Sequence, residues 1–127
     1  MSAWRRELME TFPEFGHAPE CWDLIEAEAR LGSILEKAAR AGDRQVGARV
    51  LKLVLWVNRH SNVDERFVYF CQDVLRSTVT TSSLQPYFVS LLNGRTFNQI
   101  AGYIEYLTSK EMVRDMAQEI RLRRHAG

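Results

Sequence analysis

Apolar residues recur at helical spacing along nearly the whole chain, and this pattern constrains the fold more than any other feature. The clearest example runs from Val46 to Val57, where Val50, Leu53 and Val54 complete the three-and-four spacing of one helix face. Further apolar side chains widen this face, so the segment predicts the most buried helix of the fold. No segment shows the sustained alternation of apolar and polar residues that is typical of a strand.

Turn and capping residues divide this pattern into about six to seven helices. Pro13 ends a first helix, Gly42 ends a second, and Asp43 is placed to cap the third. Asn62 with Glu65 and Thr108 with Glu111 resemble capping boxes at the starts of two later helices.

The polar, β-branched segment Ser77–Ser83 predicts the main internal break, with Ser82 or Ser83 capping a short helix behind it. Short turns between successive helices favour helical hairpins. We therefore expect an all-α fold, an irregular bundle of about six to seven helices arranged as stacked helical hairpins. At 127 residues, with 46% hydrophobic and 26% charged side chains, residues 1–127 are expected to form a single domain.

The charge of the chain is nearly balanced, at +1, but it is unevenly distributed. Residues 1–42 carry a net charge of −3 and residues 43–127 a net charge of +4. The basic excess includes the C-terminal residues Arg114, Arg121, Arg123 and Arg124, for which a solvated helix end is the simpler interpretation. A nucleic-acid partner would require a more basic surface with interleaved aromatic residues, so none is expected.

Residues that could carry catalysis are scarce. The sequence has no nucleophile-elbow, P-loop or dinucleotide-binding motif, and its three histidines, His17, His60 and His125, lie far apart. Cys21 and Cys71 sit in apolar patterns and are expected to be buried thiols, although one disulfide between them remains open. We expect a protein that is not an enzyme and that uses no cofactor and no metal.

The chain shows no signal peptide and no apolar run approaching the ~18–20 residues of a membrane span. We therefore expect a cytoplasmic protein without a membrane partner.

Acidic residues cluster near the second helix. Glu14 lies in the loop before it, and Glu20, Asp23 and Glu26 follow at intervals of three, which makes them neighbours on a helix. A solvated helix face is the simplest interpretation. The functional alternative is an acidic edge that binds a basic protein partner.

Most aromatic residues fit the apolar stripes and are expected in the core. Phe15, Tyr103 and Tyr106 fit them less well, and the two tyrosines are three residues apart on one predicted helix. Because interfaces are enriched in aromatic residues, these three are candidate anchors for a partner.

The segment Phe12-Pro13-Glu14-Phe15, which follows a short first helix, resembles a motif of small helical bacterial proteins of unknown function. The later succession of short amphipathic helices, to about Leu107, is similar in layout. Such proteins look like immunity proteins, which bind and occlude the active domain of a cognate toxin. The resemblance implies the same function here and transfers no catalytic residue.

The leading hypothesis from the sequence is therefore a non-enzymatic bacterial immunity protein with a toxin or another protein as its partner. The alternative is a helical adaptor or regulatory domain that acts through self-association or peptide binding. An enzyme assembled from residues distant in the sequence is a third class.

Overall fold

The fold of the chain is all-α. The computed structural model describes the backbone of residues 3–13, 24–60 and 64–126, and within these the side chains of 6–13, 27–60 and 64–123. The described residues form seven helices and no strand, which confirms the predicted fold class. The helices are α1 (Ala3–Thr11), α2 (Leu24–Ala41), α3 (Arg44–Arg59), α4 (Glu65–Thr80), α5 (Gln85–Ser90), α6 (Gly94–Leu107) and α7 (Lys110–Ala126).

The chain divides into two compact units, Met1–Val74 and Leu75–Gly127. The first contains α1, α2, α3 and the beginning of α4, and in it both α1 and α2 pack on α3. The second contains the end of α4 with α5, α6 and α7, and in it α5 and α6 both pack on α7. The assignment of residues 1–127 to a single domain stays a prediction.

Helix α3 is the most buried element of the first unit, as its apolar pattern predicts. Seven of its residues are buried, among them Val50, Leu53 and Val54, while Leu55 and Trp56 are half-buried. Each fully buried aliphatic side chain of this size contributes roughly 1.5–3 kcal/mol by leaving water. The helix therefore forms the centre against which its neighbours pack.

The turn between α2 and α3 forms as the sequence predicts. Gly42 has a φ of 71°, in the left-handed region that glycine adopts without strain. The amides of Gly42 and Asp43 then donate to the carbonyl oxygens of Ala39 and Ala38, which closes the end of α2. The Asp43 carboxylate accepts from the Gln45 amide at 3.0 Å and so begins α3 immediately.

The predicted break at Ser77–Ser83 is wrong in its first half, because α4 continues through Thr80. Thr78 and Val79 are buried at 1% and 0% exposure. Burial of these β-branched side chains outweighs their weak helix propensity, and Thr80 satisfies its hydroxyl by donating to the Arg76 carbonyl. The turn itself is confined to residues 81–84.

Several helices begin at residues other than those predicted. At α4, which begins at Glu65, the Asp64 carboxylate accepts from the Arg66 amide and caps the helix, whereas the predicted cap, Asn62, lies outside the described residues. Helix α5 is preceded by Leu84, which makes no side-chain cap, instead of by Ser82 or Ser83. At α7 the Ser109 hydroxyl accepts from the Met112 amide, in place of Thr108.

Helix α6 begins at Gly94, three residues before Phe97, which is the first residue of its buried apolar face. Asn93 and Thr96 form a reciprocal capping box, in which each side chain accepts from the backbone amide of the other at 2.9 Å. Asn93 is thus the N-cap of the helix and Gly94 its first residue. The cap sets where α6 begins, and burial of its apolar face sets which of its residues face solvent.

Candidate functional site

Most residues predicted to bind a partner lie outside the described residues. They are Glu14, Glu20 and Asp23 of the acidic edge and the aromatic candidate Phe15, while Glu26 lies in α2 with only its backbone described. These five positions stay predictions. The other two candidate anchors, Tyr103 and Tyr106, both lie on α6.

Helix α6 places the two tyrosines differently. Its inner face is buried through Phe97, Ile100, Ile104 and Leu107. Tyr103 lies at the flank of that face, half-buried, and its hydroxyl oxygen is shielded from solvent. Tyr106 points outward with 77% of its surface exposed. Of the two tyrosines, only Tyr106 is therefore placed to anchor a partner.

Six exposed residues of α6 form a continuous surface, which we call the outer face of α6. At 100° per residue they lie on one side of the helix, opposite the buried face. They are Arg95, Asn98, Gln99, Gly102, Glu105 and Tyr106.

Gly102 lies at the centre of the outer face of α6, one turn before Tyr106. A Cβ atom built at Gly102 would meet nothing within 4 Å, and its φ is not positive. Glycine in a helix interior costs roughly 0.5–1 kcal/mol relative to alanine. Neither packing nor backbone conformation requires glycine here, so its use leaves a notch beside an exposed tyrosine.

Phe12, the first residue of the Phe-Pro-Glu motif, is a structural residue. It is fully buried, and its amide donates to the Leu8 carbonyl at the end of α1. The Arg49 guanidinium lies over its ring, 5.4 Å from the centroid, and donates to the Thr11 carbonyl at 3.3 Å. Phe12 and Arg49 thus fix how α1 ends against α3.

Two further arginines hold helix ends in the second unit. Arg123 donates to the carbonyl oxygens of Val89, in the last turn of α5, and of Leu92, just after that helix. The Arg76 Nε donates to the Leu107 carbonyl at the end of α6. A guanidinium supplies additional donors to the carbonyls at a helix end and complements the negative end of the helix dipole. Arg123, predicted to belong to a solvated helix end, therefore has a structural role.

The described residues offer little to a catalytic or metal-binding site. No three of their His, Cys, Asp and Glu side chains are grouped so as to hold a metal ion. Cys71 is a buried free thiol, and burial raises its pKa, which keeps it in the unreactive protonated form.

Glu28 and His60 are the other titratable groups in notable surroundings. Partial burial, and then the charge of Asp73, raise the pKa of the Glu28 carboxyl. His60 closes α3, where its Nδ1 donates to the Trp56 carbonyl at 2.7 Å and its ring stacks on the Trp56 ring. Each residue is accounted for by local structure, and the two are not brought together as an acid–base pair by any contact that the structure describes.

None of the described helices is long and apolar enough to cross a membrane.

No protein-family model, curated protein or solved structure matches this chain. The likeness to immunity proteins is therefore carried by the Phe12–Phe15 segment and the helical layout alone.

Proposed function

We propose that this chain is a non-enzymatic protein-binding domain, specifically an immunity protein that binds a cognate toxin domain and occludes its active site. The proposal rests on one observation, the exposure of Tyr106 on the outer face of α6. A large aromatic side chain left in water on a rigid helix is the type of residue that dominates binding energy in interfaces.

The surroundings of Tyr106 support the same role. Gly102, one turn away, lets another backbone or a bulky side chain approach the helix closely. Arg95 and Glu105 are exposed towards opposite ends of the face. The face therefore combines an aromatic anchor, a notch and a charged rim, and rim charges set orientation and association rate more than affinity.

The proposed mechanism is steric. A toxin domain that seats Tyr106 in a pocket and packs against Gly102 would have its substrate path covered. No group on this chain needs to react. The helical core beneath the face, built from residues such as Ile100 and Ile104, keeps it rigid before binding and so limits the entropy lost on association.

The test is co-expression of the tagged chain with the product of the neighbouring reading frame. A one-to-one complex that relieves growth arrest supports the proposal. Tyr106→Ala should abolish relief, whereas Tyr69→Ala should preserve it. Tyr69 is a matched control because it is also exposed, at 53%, but its hydroxyl is engaged by Glu65 at 2.9 Å. A harmless neighbour, or full relief by Tyr106→Ala, would contradict the proposal.

A helical adaptor that acts through self-association is the second candidate, and the charge order on α6 favours it. Antiparallel pairing of two outer faces would place Arg95 of each copy towards Glu105 of the other. Light scattering of the purified chain distinguishes the two candidates. A stable dimer that Tyr106→Ala dissociates supports the adaptor, and a monomer leaves the face free for a toxin.

A further inference from the structure

Asn93 and Gly94 form an asparagine–glycine pair, whereas the other three asparagines of the sequence are followed by Arg59, Val63 and Gln99. An asparagine loses its side-chain amide most readily when glycine follows it. The nitrogen of the next residue attacks the side chain, and glycine has no Cβ atom to hinder that approach. The pair is accessible to water, since Asn93 is exposed and Gly94 is half-buried.

The reaction of such a pair needs only water and hydroxide. Hydroxide removes the proton of the Gly94 amide, whose nitrogen forms a bond to the side-chain carbonyl carbon of Asn93. The bond from that carbon to the side-chain nitrogen breaks, and the nitrogen takes a proton from water and leaves as ammonia. Water then opens the cyclic imide at either of its two carbonyl groups. One opening gives aspartate, and the other gives isoaspartate, in which the main chain runs through the former side chain.

In the folded chain three hydrogen bonds hold Asn93 in place. Its side-chain oxygen accepts from the Thr96 amide at 2.9 Å, and its own amide donates to the Thr96 hydroxyl oxygen at 2.9 Å. Its carbonyl oxygen accepts from the Phe97 amide at 2.9 Å. The side chain and the main chain of the reacting residue are therefore both fixed by the first turn of α6.

Formation of the imide is incompatible with this arrangement. The Gly94 nitrogen can reach the side-chain carbon only by rotation about the Cα–C bond of Asn93, which is held extended at a ψ of 176°. That nitrogen and the Asn93 carbonyl belong to one planar peptide group and rotate together. The rotation therefore turns the carbonyl away from the Phe97 amide, and the side chain has to leave the Thr96 amide.

We propose that Asn93–Gly94 is a deamidation site that is gated by the first turn of α6. The capped helix protects the pair, and opening of that turn exposes it to reaction. Helix ends open locally far more often than a whole fold unfolds. The modification is therefore a permanent record that this turn has opened. It does not depend on the toxin-binding proposal.

The two products have opposite effects on α6. Aspartate keeps the cap, because its carboxylate accepts from the Thr96 amide and its charge suits the positive end of the helix dipole. Isoaspartate adds a carbon atom to the main chain before Gly94, which displaces the capping group. The first turn, which includes Arg95 of the outer face of α6, should then unwind. Isoaspartate would thus alter one end of that face.

The test is mass spectrometry of the full chain, incubated at neutral pH in buffer and in urea and then digested to locate the modified residue. Asn93 should react in urea on the order of tenfold to a thousandfold faster than in buffer, because each of the three hydrogen bonds contributes roughly a factor of two to ten. Asn58 and Asn98 are internal controls and should stay largely unmodified in both conditions.

The variant Thr96→Val keeps the shape of the side chain but removes the acceptor of the Asn93 amide. It should speed the reaction in buffer by about two- to tenfold and leave the rate in urea unchanged. The matched control is Thr108→Val, which removes a hydroxyl that donates to the Ile104 carbonyl at the other end of α6. The control should react as the unaltered chain does. Circular dichroism verifies that each variant keeps its helices.

Three outcomes would overturn the proposal. Equal rates in buffer and in urea would show that the cap gives no protection. A lack of reaction at Asn93 in urea would show that the pair is not labile. Equal acceleration by Thr96→Val and Thr108→Val would assign the protection to the general stability of α6 and not to its cap.

Discussion

The Arg49 guanidinium lies over the Phe12 ring, 5.4 Å from its centroid, and joins the end of α1 to the middle of α3. The same guanidinium donates to the Thr11 carbonyl, which has no amide partner within α1. Phe12 itself is fully buried. One side chain thus satisfies a helix end and covers an aromatic core residue.

Replacing this arginine should destabilise the first unit. Arg49→Met removes the hydrogen bond and the cation–ring contact while keeping an apolar stem, and we expect a loss of about 1–3 kcal/mol in the free energy of unfolding. Urea denaturation followed by circular dichroism measures this. Lys52→Met, an exposed position on the same helix, is the control and should change stability by less than about 0.5 kcal/mol. Equal effects of the two substitutions would contradict the role given to Arg49.

Arg123 should be equally important in the second unit. Arg123→Gln loses the paired contacts to the carbonyls of Val89 and Leu92 at the end of α5. The loss should cost about 1–3 kcal/mol, because charge-assisted hydrogen bonds are stronger than neutral ones. Amide hydrogen exchange should show the largest loss of protection around α5. Arg121→Gln, an exposed neighbour on α7, should leave exchange unchanged, and equal exchange in the two variants would refute the capping role.

How far the sequence determines this structure differs between elements. The apolar spacing predicts α3 correctly, and Gly42 with Asp43 predicts the turn before it. Both features depend on residues that are close in sequence. The extension of α4 through Thr80 was not predictable, because burial of Thr78 and Val79 comes from tertiary packing. The contacts of Arg49 and Arg123 likewise join residues more than thirty positions apart, which no local pattern encodes.

Glu28 should make stability depend on pH. Partial burial and the charge of Asp73 raise its pKa above the ordinary value of 4.5, so the folded state holds the proton more tightly than the unfolded chain does. The ionised carboxylate therefore costs stability above the raised pKa, and the cost disappears as pH falls below 4.5.

Glu28→Gln should thus stabilise the protein at pH 7 by about a few tenths of a kcal/mol, a small value because solvent screens a partly exposed group. The gain should vanish near pH 4. Thermal unfolding at a series of pH values measures it, with the exposed Glu36→Gln on the same helix as control. A gain that is constant with pH would argue against burial of the Glu28 carboxyl.

Cys71 should be unreactive while the protein is folded. Its side chain is 1% exposed and burial raises its pKa, so both access and thiolate fraction are low. In a Cys21→Ser background, a thiol-specific reagent should label Cys71 slowly in buffer and rapidly in denaturant. Fast labelling of the native protein would place the thiol at the surface, contrary to the structure.

Gly102 should lower the stability of the isolated chain, and its advantage should lie in the binding of a partner. Gly102→Ala should raise the free energy of unfolding of the isolated chain by about 0.4–1 kcal/mol, since the added Cβ meets no neighbour and the helix gains a better helix former. Gly32→Ala is the matched control, because Gly32 also lies inside a helix with nothing within 4 Å of an added Cβ. Destabilisation by Gly102→Ala would mean that the position serves the fold.

The candidate site was only partly accessible from sequence. Tyr106 could be named as an anchor from its place outside the apolar stripe. Its separation from Tyr103 depends on the rotation of α6 about its axis, which the packing of its buried face sets. Gly102 is recognisable in the sequence as a glycine inside a helical pattern. Its position at the centre of an exposed face became evident only once that rotation was known.

The affinity of the complex with the neighbouring gene product shows whether the outer face of α6 binds a protein partner. Titration calorimetry should give a one-to-one complex that Tyr106→Ala weakens by about thirtyfold or more, as expected for an interface anchor worth at least about 2 kcal/mol. Gly102→Ala should also weaken it, while Gly32→Ala binds normally. Unchanged affinity in both α6 variants, or no complex at all, would mean that the outer face of α6 does not bind this partner.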